Sequence, residues 1–359
     1  MKKFFLALCA MVVVSLTGCK KDPVTPTPGS NSPAQQYDTR EGAYDPVGKI
    51  TSVIFSDETA PEVWLWDRET GRLMSVNDDD MCGGYIERVV FSYLPDGRVD
   101  RVNLKNIQLG GLLPDDGVSG TMSVSYSGEY ISSLSVVNNG VDVLSVQVQR
   151  NNGNKIGGAT IDLSDNMLLD LFNTMLAQFI PDSMATGDLA TSVDNVTGGA
   201  SLVWEGDNVR QILLNIGFRV TTTIGTLINV IGEDNLGILG TAGQFLTMLP
   251  ASQPLFFDVA VGDTVDYTYD DKVNPYRNYL GRLDVSALTA NNVVSAVHNG
   301  AANVAISTTF MGSNTQFYQT SYPLPLESTF NDYLEYNAAG CPLRVEDGNG
   351  VERQYQYME

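Results

Sequence analysis

The stretch "WLWDRETGRLMSV" (residues 64–76) holds two tryptophans at i and i+2, a polar turn ending at Gly71 and an apolar return. In an extended chain, residues two apart share a face, so Trp64 and Trp66 stand side by side on one side of a strand. Gly71 supplies the positive φ of a tight turn, and the chain then runs back antiparallel. The unit is a β-hairpin. It recurs as "FSYLPDGRVDRV" (91–102), turning at Gly97, and as "YLEYNAAGCPLRV" (333–345), turning at Gly340. Looser copies are "LVWEGDNVRQI" (202–212) and "YTYDDKVNPY" (267–276).

Working outward, strands and turns alternate from Lys49 to about Leu163 with little room for helix. Turn signals stand at "DRETG", "NDDDMCGG", "LPDG", "LPDDG", "VNNGVD" and "RNNGNK", separated by β-branched and aromatic runs. Asn139-Gly140 and Asn152-Gly153 tolerate the positive φ of two-residue hairpin turns. Connections this short imply antiparallel neighbours. The expected fold is mainly all-β: one large curved antiparallel sheet over residues 44–359, a meander forming a barrel or half-barrel, with a helical insertion within 164–249.

In that insertion, Ser164 or Asp165 can cap a helix whose apolar residues Leu168, Leu171, Phe172, Met175, Leu176, Phe179 and Ile180 recur at helical spacing until Pro181 stops it. Its polar side lacks the Lys and Arg of a lipid-surface helix, so its apolar face is assigned to the core. Residues 212–231 are nearly continuous in apolar and Thr residues, but Asn215 and Arg219 interrupt them. They are expected to begin as the return strand of the Trp204 hairpin and then turn helical, rather than to span a membrane. Gly237, Gly240 and Gly243 lack the preceding strand that a nucleotide-binding loop requires.

The chain opens with Lys2, Lys3, an apolar run from Phe4 to Leu16, and Leu16-Thr17-Gly18-Cys19. The run is too short to cross a bilayer, and the small residues before Cys19 suit a peptidase. This segment resembles the lipobox of bacterial lipoproteins, which implies a signal peptide over 1–18 and a lipidated Cys19. Several acyl chains would hold the protein on a membrane essentially permanently. The charged Lys20, Lys21 and Asp22 resemble the segment that follows the lipidated cysteine in many Bacteroidota lipoproteins, and imply delivery to the outer membrane, on its periplasmic or cell-surface face. From Pro23 the run "PVTPTPGSNS" cannot pack a core, so residues 19–43 read as an extended tether.

The formal net charge is −21, more negative still once Lys2 and Lys3 leave with the signal peptide. A nucleic acid would be repelled by such a surface, and no basic stripe counters it. Solubility accounts for the acidity more simply than calcium binding does. Asp78, Asp79 and Asp80 lack EF-hand spacing and a distal Glu, so no metal site is assigned.

"YTYDDKVNPYRNYL" (267–280), "NNVV" (291–294) and "YLEYNAAGCPLRVEDGNGVERQYQYME" (333–359) together resemble an uncharacterised family of Bacteroidota secreted lipoproteins described as having a porin-like fold. That resemblance implies a large curved antiparallel sheet and no assigned activity. The aromatic-Asp-Gly units are also similar to the YD repeats of toxin shells, but their irregular spacing argues against a long encapsulating cocoon. A true transmembrane barrel would not need a lipid anchor and would show an alternating lipid-facing band in each strand.

The aromatic pairs have two readings. Trp64, Trp66, Trp204 and Tyr269 are candidate ligand-lining residues, a platform for sugar rings or an apolar molecule. The same side chains also suit cross-strand packing at every hairpin. Catalytic constellations are thin: His298 is the only histidine, so sites needing two imidazoles are absent, and no Ser or Cys nucleophile motif accompanies it. No cofactor is implied. Paired carboxylates for glycoside hydrolysis stay open, because Asp and Glu are plentiful. Cys82 and Cys341 remain after processing and would pair if the first and last hairpins meet.

The expected function is non-catalytic binding of a lipid-like apolar molecule or a glycan in the concavity of the sheet. Two alternatives are a carbohydrate-active hydrolase using two carboxylates and a structural or adhesive surface protein.

Overall fold

The computed structural model describes residues 40–358, except 59, 80–84, 108–117, 177–191, 233–240, 282–284, 311, 325 and 327. Cys19, Cys82 and residues 19–39 of the expected tether therefore lie outside the described residues. So do Asp80, Gly237 and Gly240, and the end of the helix expected over 164–180. Glu41, Gly42 and Ala43, expected to belong to the tether, are buried against the barrel.

The hairpins expected at 64–76, 91–102, 202–212 and 333–345 are present, whereas 267–276 is not a hairpin, because β12 continues to Val273 and the chain returns only at Asn291. The first half is a meander of short strands: β1 (Ile50–Phe55), β2 (Glu62–Trp66), β3 (Leu73–Asp79), β4 (Tyr85–Tyr93), β5 (Val99–Ile107), β6 (Val118–Ser127), β7 (Tyr130–Asn138), β8 (Val141–Arg150) and β9 (Ile156–Leu163). The second half carries longer ones: β10 (Ser192–Glu205), β11 (Asn208–Thr223), β12 (Pro254–Val273), β13 (Asn291–Phe310) and β14 (Ser313–Pro323). Three short strands finish the chain: β15 (Thr329–Tyr336), β16 (Pro342–Asp347) and β17 (Glu352–Tyr357). Helices α1 (Asp165–Leu176), α2 (Ile224–Ile231) and α3 (Thr241–Thr247) fall inside the expected insertion. Residues 212–231 divide at Thr223, whose hydroxyl accepts the Thr226 N–H and caps α2. No described helix is long and apolar enough to cross a membrane.

The sheet closes into a 16-strand antiparallel barrel. Closure is made by β1, which pairs with β2 on one side and with β17 on the other, Val53 opposite Tyr355. β14 stands outside the ring. It pairs with β13 from Ala301 to Phe310, and β15 takes over the same edge at Ser295 and Ala296. β14 and β15 are thus one strand interrupted at Pro323, a residue that cannot continue a ladder. β9 meets β10 only at Gly199–Ser201, so β10 through β14 rise past the ring as a taller wall.

One rim carries short turns, at 67–72, 94–98, 128–129, 151–155, 206–207 and 337–341, and a longer connection whose described residues, 274–281 and 285–290, form a plug. The opposite rim bears the helices and the wall. Burial alternates along the strands: Ile212, Leu214, Ile216, Phe218 and Val220 of β11 are buried, and Leu255, Phe257, Val259 and Val261 of β12 face them. These inward side chains, with those of the other strands, form one continuous apolar core. The barrel is filled rather than hollow along this cluster. At about 25 cal/mol per Å² of apolar surface removed from water, that burial is the main stabilising force. The outward positions of β11 and β12 mix the polar Gln211, Asn215, Arg219, Asp258, Thr264 and Asp266 with the apolar Leu213, Phe256 and Ala260, so they do not form the continuous apolar band of a membrane-spanning barrel.

Candidate functional site

The predicted aromatics are drawn together by a repeated device at the short-turn rim. Strands pair up around the barrel, and in each pair the strand ending at this rim donates a side-chain hydrogen bond to a carbonyl at the start of its neighbour. Trp66 Nε1 reaches Ile50 O at 2.7 Å, Tyr93 reaches Leu73 O at 2.5 Å and Tyr126 reaches Val99 O at 2.7 Å. Trp204 Nε1 reaches Ile156 O at 2.6 Å and Tyr269 reaches Val209 O at 2.5 Å. Tyr333 bonds Val293 O at 3.2 Å, and Tyr357 bonds Pro342 O at 2.7 Å. Burial raises the Tyr93, Tyr126, Tyr333 and Tyr357 hydroxyls above their ordinary range, which keeps them protonated donors.

In four of these seven clasps a cation one residue before the bonded carbonyl lies over the same ring. Lys49 covers Trp66 at 5.1 Å, Arg72 covers Tyr93 at 5.5 Å, Arg98 covers Tyr126 at 4.2 Å and Lys155 covers Trp204 at 5.1 Å. Each such contact is worth roughly 0.5–1 kcal/mol. The sequence carries a local signal for these four: a Lys or Arg followed by an apolar residue, as in Gly71-Arg72-Leu73 and Gly97-Arg98-Val99.

Of the four candidate lining residues, then, Trp66, Trp204 and Tyr269 are half-buried members of these clasps. Trp64 is in the core, 3% exposed. The plug packs against it: Tyr279 lies 4.7 Å from Trp64 between ring centroids and 5.7 Å from Phe91, and Tyr276 lies 6.0 Å from Trp64. Tyr44, on the segment that precedes β1, stacks on Trp66 at 5.8 Å, and its hydroxyl bonds Pro275 O at 2.8 Å. Glu41, just before it, is buried and accepts the Ile131 N–H at 2.7 Å and both Arg150 nitrogens.

Cys341 is a buried free thiol whose pKa burial pushes up to about 11. Its expected partner, Cys82, is outside the described residues. His298 sits on β13 with Nδ1 2.7 Å from Asp263 Oδ2, and the Asp263 side chain is fully buried. No group of three or more potential metal ligands occurs among the described residues. Asp78 is held by Arg88 at 2.5 Å.

A groove of about 290 Å³ lies on the outer, convex face of the tall wall. Asn195, Thr197, Asn303 and Gln319 offer amides and a hydroxyl, and Gly217, Ala260 and Ala305 keep the floor low. Asp258 lies in the same lining, tied to Arg219 at 2.7 and 3.0 Å. These residues come from β10 through β14, so only the paired strands bring them together.

Neither a family model nor a curated protein matches this chain. Among solved structures, a porin-like protein from Bacteroides uniformis is similar at 10% identity and a TM-score of 0.24, covering 79% of this chain and 99% of that one. A porin-like protein from Bacteroides vulgatus is similar at 10% identity and a TM-score of 0.25, covering 87% of this chain and 99% of that one. The barrel assignment itself rests on the strand pairings of this chain.

Proposed function

We propose that this chain is a lipid-anchored outer-membrane protein that binds a neutral glycan, without catalysis, on the outer face of its tall wall. The groove carries this reading. Carboxamide and hydroxyl side chains donate and accept hydrogen bonds to sugar hydroxyls, and a Gly/Ala floor admits a flat ring. An apolar ligand inside the barrel is less well supported, because the inward side chains already pack on one another. The entry of residues 40–48 at the short-turn rim supports an orientation with that rim toward the anchor and the wall toward solvent.

The test is calorimetric titration of the full chain with a panel of neutral oligosaccharides. At least one should bind, and Asn303→Ala with Gln319→Ala should weaken it about tenfold or more. Failure of the whole panel, or binding indifferent to both substitutions, would sink the groove reading. For the anchor, labelled palmitate should enter the wild-type chain in a lipoprotein-processing bacterium and not Cys19→Ser.

A further inference from the structure

The free edge of β14 points to a second interaction, one made by the backbone of a strand whose Gln319 side chain also lines the glycan groove. β14 runs for 11 residues, one edge on β13 and the other pairing with no described strand. Such a row of open N–H and C=O groups is normally guarded by charge, a bulge or a cover. This one has a bulge opposite Ile306/Ser307 but no charged side chain from Ser313 to Pro323, in a chain of net charge −21. The Leu324 N–H bonds Gly300 O at 2.8 Å. Antiparallel alternation then turns the backbone of Tyr322, Thr320 and Tyr318 toward β13, and that of Ser321 and Gln319 toward the open edge.

We infer that β14 accepts an extended strand from another protein, uncharged or basic, with apolar residues at alternate positions. The backbone groups specify a strand, because only another extended backbone matches their spacing. The half-buried Tyr318 and Tyr322 share the inward face with Ile306 and Ala302, which selects alternate apolar side chains. Absence of charge on the strand within an acidic molecule admits neutral or basic partners and disfavours acidic ones. A second copy fits poorly. Two β14 edges paired antiparallel would put the two short-turn rims, and both tethers, at opposite ends of the pair.

The probe is a set of peptides selected on the full chain in mild detergent from a displayed random 12-residue library, then resynthesised. The selected sequences should alternate apolar with neutral or basic residues and slow exchange of the Gln319 and Ser321 amides. N-methylation at every second peptide position should weaken binding about tenfold in one register and leave the other register intact. Ser321→Pro, which removes an outward donor without removing a β13 bond, should abolish binding, whereas Ser321→Ala should keep it. The proposal is overturned if the Gln319 and Ser321 amides are already protected in the free monomer, since the chain then covers its own edge. It is equally overturned if native mass spectrometry shows a dimer protected at β14, or if the selected peptides bind without any N-methyl register effect.

Discussion

Arg150 lies over the ring of Tyr130, 4.7 Å from its centroid, with cation and ring exchanged relative to the other clasps of the rim. Elsewhere the cation opens one strand and the aromatic ends its neighbour. Here Tyr130 opens β7, and Arg150, ending β8, donates to Ile131 O at 2.9 Å. The exchange lets the guanidinium hold the Glu41 carboxylate as well, so the barrel pair and the incoming chain are fastened by one residue.

Arg150→Met should therefore cost about 3 kcal/mol or more in urea unfolding, because it strands a buried carboxylate. The double variant Arg150→Met, Glu41→Gln should recover much of that loss. Burial raises the Glu41 carboxyl above its ordinary 4.5, opposed by Arg150 and the Ile131 amide. A raised acid holds its proton more tightly when folded, so its contribution is whole below 4.5 and fades as pH rises through the folded value. Glu41→Gln should flatten the stability profile just above pH 4.5, and Arg150→Met should steepen it and carry it to higher pH.

The aromatic clasps and the plug separate two roles by energy. Tyr126→Phe and Tyr93→Phe should each cost about 1 kcal/mol, the net worth of one hydrogen bond. Trp64→Ala should cost about 3–5 kcal/mol, since it empties a site packed by Tyr279 and Tyr276. Differential scanning calorimetry distinguishes these classes, and a small effect at Trp64 would contradict its place in the core.

Gly42 has a φ of +75°, and a Cβ there would lie 2.0 Å from the Tyr126 hydroxyl oxygen. Gly42→Ala should lower stability by about 1–3 kcal/mol through left-handed backbone strain and that collision. Proteolysis near residues 40–48 should accelerate in the variant, because the Gly42 carbonyl also accepts the Val99 N–H.

In a Cys82→Ala background, Cys341 should resist iodoacetamide at pH 8 while the chain is folded and react at once in denaturant. Burial raises its thiol to about 11 from an ordinary 9.0, so its contribution is intact below 9 and is lost as pH climbs through 11. Cys341→Ala should flatten the stability profile across that window, by about 2 kcal/mol at its upper end. Equal slopes with and without Cys341 would contradict burial as the cause.

Strands and turns were legible because the two-residue spacing of Trp64 and Trp66, or Phe91 and Tyr93, and the glycines after them are local signals. The helical insertion was legible from the spacing of Leu168 and Phe172. Closure was not, because Val53 and Tyr355 carry no mark of each other. The clasps escaped notice because donor and carbonyl are separated by 16 residues at Trp66 and by 60 at Tyr269. Asp263, the partner of His298, lies 35 residues before it on another strand. The groove was invisible for the same reason: Asn195 and Gln319 become neighbours in one lining only after five strands align.

Pairing of β1 with β17 makes manufacture of this protein an all-or-nothing event. The first strand of the ring to be synthesised must wait, with one edge unsatisfied, for nearly the last residues of the chain. Such distant contacts fold slowly. A chain cut short before Tyr355 would retain almost every hairpin yet expose two unzipped margins, at β1 and β16. An incomplete copy thus differs from a finished one by an open seam rather than by any missing hairpin.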